Sequence, residues 1–309
     1  MDKIFIAIPA IDEIDVKQTI TSALENAKYP DRVTFGLCVQ YQQYPKDSFK
    51  EFKNIKIVEL SSDEILGVGV VRKISYMLHN GEKYFMQIDA HMLFDKNWDE
   101  NLIKYYIAAK KISDKIIFSG YVPAWYRDTQ NNIVKDPINK LSNSLTLENN
   151  PQAKQPTASK QQTIEKIESD GLVLHKQKAI SCHFIFSESD FIYNFLPDPF
   201  IIYNGDEATL SLRAISRGYL VFSPEETILW HLDKRLDNFY SNEPIRWQPL
   251  FLGKQEARSD REIFICVASY NRVKDIFNGS VLGYYGARSI EDIVWYSNYI
   301  GIDFQESFI

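Results

Sequence analysis

The triplet Asp89-Ala90-His91 ends an apolar, aromatic run, Tyr84 to Ile88, of strand type. Side chains alternate faces along a strand, so Asp89 and His91 point the same way. A carboxylate oxygen beside an imidazole nitrogen makes half a site for a divalent cation of intermediate hardness, such as Mn2+ (or Mg2+). In open α/β sheets the ligand crevice lies at the carboxyl ends of the strands, where this pair sits. Asp-x-His also occurs by chance in solvated turns, so the rest of the chain must supply partners. His231 is the first candidate. It follows the extended run Thr227 to Trp230 and would complete a set of ligands that leaves positions open for substrate oxygens. His79, at a helix end, His175, near a polar stretch, and His183, a core or pocket wall, compete for that place.

Two further groups could act beside such a cation. Asn204-Gly205-Asp206-Glu207 opens a helix, and a carboxylate there could accept a proton or a hydrogen bond from an attacking hydroxyl. Acids in a first helical turn equally suit the helix dipole. Gly67-Val68-Gly69-Val70-Val71-Arg72-Lys73 places flexible backbone next to two cations at a helix start. It is neither a Walker motif nor a dinucleotide fingerprint. Arg72 could reach a diphosphate or a base, with a surface salt bridge as the plainer alternative.

The elements that must position these residues alternate. Ile4 to Ile8 reads as a buried strand stopped by Pro9, and Asp12 or Asp15 can cap the helix that follows. Strands are expected at 33–41, 55–60, 84–89, 115–121, 179–187 and 219–223, with helices after Gly69, after Asn97 or Asp99, and from Asp206 to Gly218. The helix after Gly69 should bury Val70, Ile74, Met77 and Leu78. Strands alternating with helices give an α/β fold: a Rossmann-like, mostly parallel sheet with helices on both faces. Residues 127–170, polar and punctuated by Pro137, Pro151 and Pro156, read as a long mobile insertion that could carry a short helix or hairpin. The C-terminal part reads as helical. Ser259 and Glu262 form a capping box before Ile263, Val267 and Tyr270, and a second helix runs from Ser289 to Gly301. The simplest division is 1–235 as the main domain and 236–309 as a helical extension packed on it.

The totals exclude several classes. A net charge of -6 with no long basic run argues against nucleic acid held by phosphate contacts. The three cysteines, Cys38, Cys182 and Cys266, are far apart and match no disulfide or zinc spacing. No stretch approaches the roughly 20 apolar residues of a membrane span, and no signal segment is evident. A cytoplasmic protein is expected.

Taken together, these stretches resemble the polypeptide N-acetylglucosaminyltransferases of glycosyltransferase family 60, of GT-A type, which are related to the mucin-type polypeptide N-acetylgalactosaminyltransferases. Ile4 to Ile8 with Asp12 is similar to the family's opening strand and uridine loop. Gly67 to Lys73 is similar to its Gly-to-Arg helix start, and Gln87 to Met92 with Phe94 and Trp98-Asp99 to its metal motif. Gly205-Asp206-Glu207 through Gly218-Tyr219 to Trp230-His231 resembles its acceptor-side helix and last metal ligand. The chain departs from the family at Ala10 to Glu13 and at Val71-Arg72-Lys73. The resemblance implies a GT-A fold, a UDP-sugar donor (UDP-GlcNAc), Mn2+ as cofactor, and transfer with retention to a hydroxyl on a protein or glycan. It implies that Asp89, His91 and His231 hold the metal. Pro9, Asp12, Arg72, Gln87 and Ile88 would hold the nucleotide, and Asp206 and Glu207 would face the sugar or acceptor. Two rivals are a metal-dependent nucleotide-sugar hydrolase or nucleotidyltransferase, which would need a denser carboxylate cluster, and a non-catalytic nucleotide-sugar-binding protein.

Overall fold

The computed structural model describes residues 2–11, 13–41, 48–61, 67–135, 144–151, 153–161, 165–234 and 260–308. Its first half alternates as read: β1 (Ile4–Ile11), α1 (Val16–Asn26), β2 (Val33–Tyr41), β3 (Ile55–Ser61), α2 (Gly67–Met77) and β4 (Tyr84–Ile88). β1 pairs in parallel with β2 on one side and β4 on the other, and β2 pairs in parallel with β3. Both faces of these strands are buried. Ile4, Ile6 and Ile8 enter one core cluster, while Phe5 and Ala7 enter another. α1 covers the first face with Val16, Ile20 and Ala23, and α2 covers the second with Tyr76.

Two local expectations fail here. Pro9 does not stop β1. The pairing with β4 ends at Ala7, so a residue without an N–H sits where one side of the strand is free, and pairing with β2 continues to Ile11. α2 buries Gly69, Val71, Arg72, Ser75 and Tyr76 rather than the stripe containing Met77, which is 68% exposed. Close approach decides the face. A Cβ at Gly69 would lie 2.0 Å from the Asp198 carbonyl oxygen, so the glycine side is pressed against the chain that leads to the Asp206 helix.

The second half is mixed. It comprises β5 (Met92–Phe94), α3 (Trp98–Lys110), β6 (Ile116–Ser119), β7 (Ala124–Arg127), β8 (Ile133–Lys135), β9 (Ser144–Asn150), β10 (Gln155–Gln161), β11 (Glu165–Ser169) and β12 (Leu172–Gln177). It continues with β13 (Phe184–Glu188), α4 (Asp190–Asn194), α5 (Asp206–Ile215), β14 (Leu220–Pro224) and β15 (Leu229–Lys234). The main sheet has the order β11-β12-β14-β6-β13-β4-β1-β2-β3. β14 is parallel to β6. β13 runs antiparallel between β4 and β6, and β12 and β11 add an antiparallel edge. The α/β class with helices on both faces is as expected, with the parallel pairings gathered mainly around β1. A second sheet, β5-β15-β7-β8, begins just past β4.

Within 127–170 the described residues are folded into antiparallel pairings rather than left as a mobile excursion: β8 on β7, β9 on β10, and β11 on β12. Leu145 and Leu147 point into the second core cluster, and the Leu145 carbonyl accepts from Lys178 N at 2.7 Å.

α3 buries Leu102, Tyr105, Tyr106 and Ala109 as expected. Asp99, fully buried in its first turn, reaches back toward α1. It accepts from Lys28 N at 2.7 Å, Tyr29 N at 3.0 Å and Arg32 Nε at 2.9 Å. The C-terminal helices are α6 (Asp260–Phe277) and α7 (Ile290–Ile300). Ser289 caps α7 through Asp292 N, and Gly301 ends it at φ 78°. α6 buries Val273, Ile276 and Phe277 at its far end, while Ile263 and Val267 are 40% and 48% exposed. Only the C-terminal half of this helix packs on the described core. Ser259 of the expected capping box and the division near 235 fall outside the described residues.

Candidate active site

Backbone hydrogen bonds of β4 bring the chain to Ile88, and Asp89 is the first residue past the strand. α1 then clamps the turn. Thr19 Oγ1 donates to the Ala90 carbonyl and accepts from Met92 N, both at 2.8 Å. Pairing of β15 with β5 sets His231 opposite Met92, and Leu232 N donates to the His91 carbonyl at 3.2 Å. Trp125 Nε1 reaches the same carbonyl at 3.0 Å, and His231 N donates to Pro123 O at 2.9 Å. The small sheet is thus what carries His231 to the Asp-x-His turn, across 140 residues of sequence from His91.

The three side chains converge. His91 Nε2 and His231 Nε2 are 3.0 Å apart; His231 Nε2 is 3.2 Å and His91 Nε2 4.0 Å from Asp89 Oδ2. Their ligand atoms all lie within 4.8 Å of one another, the one such group among the described residues. Two imidazole nitrogens and a carboxylate oxygen gathered this closely are the donor set that a single divalent cation of intermediate hardness takes. Glu13 Oε2 lies 3.4 Å from His91 Nδ1, where a carboxylate orients the ring with Nε2 inward. The residues present therefore fit a divalent cation of the Mn2+ type. Burial works to raise the Asp89 carboxyl. The His231 hydrogen bond and the neighbouring His91, His231 and Arg72 outweigh it and hold Asp89 well below the usual carboxylate range.

Arg72 forms the next wall. Its guanidinium pairs with Asp206 and lies 3.7 Å from Asp89 Oδ1. Burial opposes its charge, but Cys182, Asp89, Tyr76 and Glu207 around it raise its pKa above the ordinary value. Asp206 opens α5 behind Gly205, whose φ of 95° and contact with Val273 of α6 leave no room for a side chain. Glu207 turns the other way. Its Oε1 accepts from Ser181 Oγ and from Cys182 N, both at 2.8 Å. Burial raises its pKa, opposed by those two hydrogen bonds and by Arg72.

The residues singled out from the sequence fall into two groups in the structure. Asp89, His91, His231, Arg72 and Asp206 are brought together. Pro9 lies in β1 beyond the β4 pairing, and Asp12 lies outside the described residues. Gln87 and Ile88 are buried behind the site. The Gln87 amide is engaged by Tyr76 Oη and the Cys182 carbonyl, and Ile88 packs in the first core cluster. Of the competing histidines, His79 contacts the Glu82 carbonyl at 2.8 Å and His175 is buried in β12. His183 is closer than expected. Its ring centroid is 5.1 Å from that of His231 and 5.3 Å from that of Tyr121, and desolvation pushes its pKa down to about 3. Thr19, Glu13, Ser181 and Tyr121 were missed. Polar residues of common type carry no local signal of what they face across the fold.

The profile of a family described as Glycosyltransferase (GlcNAc) matches residues 41–305. The chain belongs to this GlcNAc glycosyltransferase family. Among solved structures, that of GalNAc-T7 with UDP, GalNAc and Mn2+ is similar to the glycosyltransferase with a TM-score of 0.63 at 13% identity, over 100% of this chain and 56% of that one. A structure of S. aureus TarS gives a TM-score of 0.46 at 10% identity, over 87% of this chain and 43% of that one. The chain thus spans about half the length of these two structures. No curated protein matches it. The likeness to GalNAc-T7 is one of fold: the glycosyltransferase has the GT-A architecture, with Asp89, His91 and His231 gathered past the end of a central strand.

Proposed function

We propose that this glycosyltransferase moves GlcNAc from UDP-GlcNAc to a hydroxyl, on a protein acceptor, with retention of configuration and with Mn2+ as cofactor. The observation that carries the proposal is the convergence of Asp89, His91 and His231 beside the Arg72 guanidinium. Family membership supports the sugar, and the GalNAc-T7 structure was solved with a UDP nucleotide and Mn2+. Asp89, His91 and His231 would hold the cation, which when bound neutralises charge on the departing diphosphate. Arg72 adds a fixed positive charge beside the same position, kept in place by Asp206. The C1–O bond to UDP breaks, a bond from C1 to the acceptor oxygen forms, and the hydroxyl proton passes to the UDP phosphate. Same-face attack of this kind needs no free enzyme base. In support, Asp89 is tied to His231, Asp206 to Arg72, and Glu207 to Ser181 and Cys182. The acceptor would approach past Tyr121, over which β10 holds the Lys160 ammonium at 3.7 Å. Cytoplasmic location is part of the proposal and rests on the cysteine pattern.

The test is UDP release from a panel of UDP-sugars, with and without Mn2+, followed by the anomeric configuration of the product. Metal-dependent UDP release with UDP-GlcNAc and an α-linked product are expected. Release of inorganic phosphate or pyrophosphate would favour a hydrolase or nucleotidyltransferase, and a β-linked product would refute retention.

A further inference from the structure

We propose that Glu207, Ser181 and His183 form a fixed hydrogen-bond chain that positions His231, and that Glu207 is a positioning residue and not the acid or base of the reaction. The proposal rests on the metal assignment above and concerns residues outside the ligand set.

Each proton in the chain has one place. Val122 N meets His183 Nε2 at 3.4 Å, and a backbone amide can only donate, so Nε2 carries the lone pair and the imidazole proton sits on Nδ1. Nδ1–H donates to Ser181 Oγ at 2.5 Å. The hydroxyl then gives its own proton to Glu207 Oε1 at 2.8 Å, where Cys182 N–H also arrives at 2.8 Å. The final acceptor must be an oxygen with two lone pairs. It need not be charged.

The chain joins three segments that meet at the site: the link between β6 and β7, the turn before β13, and the start of α5. The same link supplies Pro123 O to His231 N at 2.9 Å, and the His183 ring lies against the His231 ring at 5.1 Å. With both nitrogens of His183 engaged, its ring can back His231 without competing for the cation. That explains why three histidines crowd this corner and only two face Asp89.

The test compares Glu207→Gln, Glu207→Ala, Ser181→Ala and Ser181→Thr. Mn2+ affinity is read by titration calorimetry on metal-free protein, kcat at saturating Mn2+, and folding by melting temperature. A glutamine keeps the accepting oxygen, so Glu207→Gln should stay within about twofold of wild type in both affinity and kcat. Glu207→Ala and Ser181→Ala should weaken Mn2+ binding by roughly 10- to 100-fold, the size of effect typical of groups that orient a metal-bound histidine. Ser181→Thr, which keeps the hydroxyl, should recover most of that loss. If Glu207→Gln bound Mn2+ normally yet was as inactive as Glu207→Ala, Glu207 would be an acid or base and the proposal would fall. Unchanged Mn2+ affinity in folded Ser181→Ala would also overturn it. Unchanged affinity in His231→Ala would instead overturn the metal assignment, and this proposal with it.

Discussion

The two halves of the main sheet were built by different rules. On one side β3, β2, β1 and β4 lie parallel, each joined to the next in sequence by a long connection, and their residues alternate between two buried faces. On the other side β6, β11, β12, β13 and β14 mix directions, and antiparallel pairs account for every contact but that of β14 with β6. The candidate site straddles the boundary. Asp89, His91 and Arg72 come from the parallel side; His231, Asp206 and Glu207 come from the segments that follow β13. A site can thus draw both on a half of parallel strands and on segments that follow a half of mixed direction.

The largest effect is expected from removing one ligand from each of two distant segments, the turn after β4 and β15 of the small sheet. His91→Ala and His231→Ala should each cost at least about 100-fold in metal-dependent UDP release, more than loss of a merely orienting partner. Near-wild-type turnover in either variant would remove that residue from the site.

Charge burial offers a second contrast. Between α3 and the segment leading into β2, Asp99 and Arg32 are both buried and paired at 2.8 Å. Asp99→Ala leaves Arg32 uncompensated and three donors without their acceptor, so it should lower unfolding free energy by about 3–5 kcal/mol. Chemical denaturation measures this, and a loss below about 1 kcal/mol would contradict the role assigned to the pair.

On the mixed side, His175 is buried, and among the described residues neither of its ring nitrogens has a hydrogen-bond partner. Burial, with Lys166 nearby, lowers its pKa below the ordinary value of 6.5. Above the unfolded-state pKa, near 6.5, both states are neutral and nothing is lost. As pH falls below that value the unfolded chain takes up a proton that the folded protein resists. Stability therefore declines until the pH passes the lower folded-state pKa. One such proton is worth at most about 1.4 kcal/mol per pH unit. His175→Leu should match wild type within about 1 kcal/mol at neutral pH, then lose less as the pH drops from about 6.5 to 5. Parallel stability curves for the two proteins would show that His175 makes no such contribution.

Legibility followed the same divide. The strands of the parallel half were readable because burial on both faces writes itself as continuous apolar runs, as in Ile4 to Ile8 and Tyr84 to Ile88. The turns of α5 and α7 were readable because Gly205, Ser289 and Gly301 have conformations or caps that few other residues supply. The inner face of α2 differs from the expected stripe, since a helix with apolar residues on two sides does not announce which side will be covered. Close contact at Gly69 settled which side that is. Within 127–170 the sequence left loop, helix and hairpin open, because a polar composition suits exposed strands as well as it suits loops.

The amino-acid sequence alone determined the local chemistry: a strand that ends in Asp89 and His91, an arginine at a glycine-rich helix start, two acids at another, and an isolated histidine after a tryptophan. Only the tertiary structure decided which of these share a site. The register of β15 on β5 selects His231 over three other histidines, and the turn before β13 separates Glu207 from Asp206 although they are adjacent in the chain. The physical reason is that ligand geometry depends on pairing between distant strands, and the free energy of that pairing is spread over many apolar contacts, none of which lies in the motifs themselves.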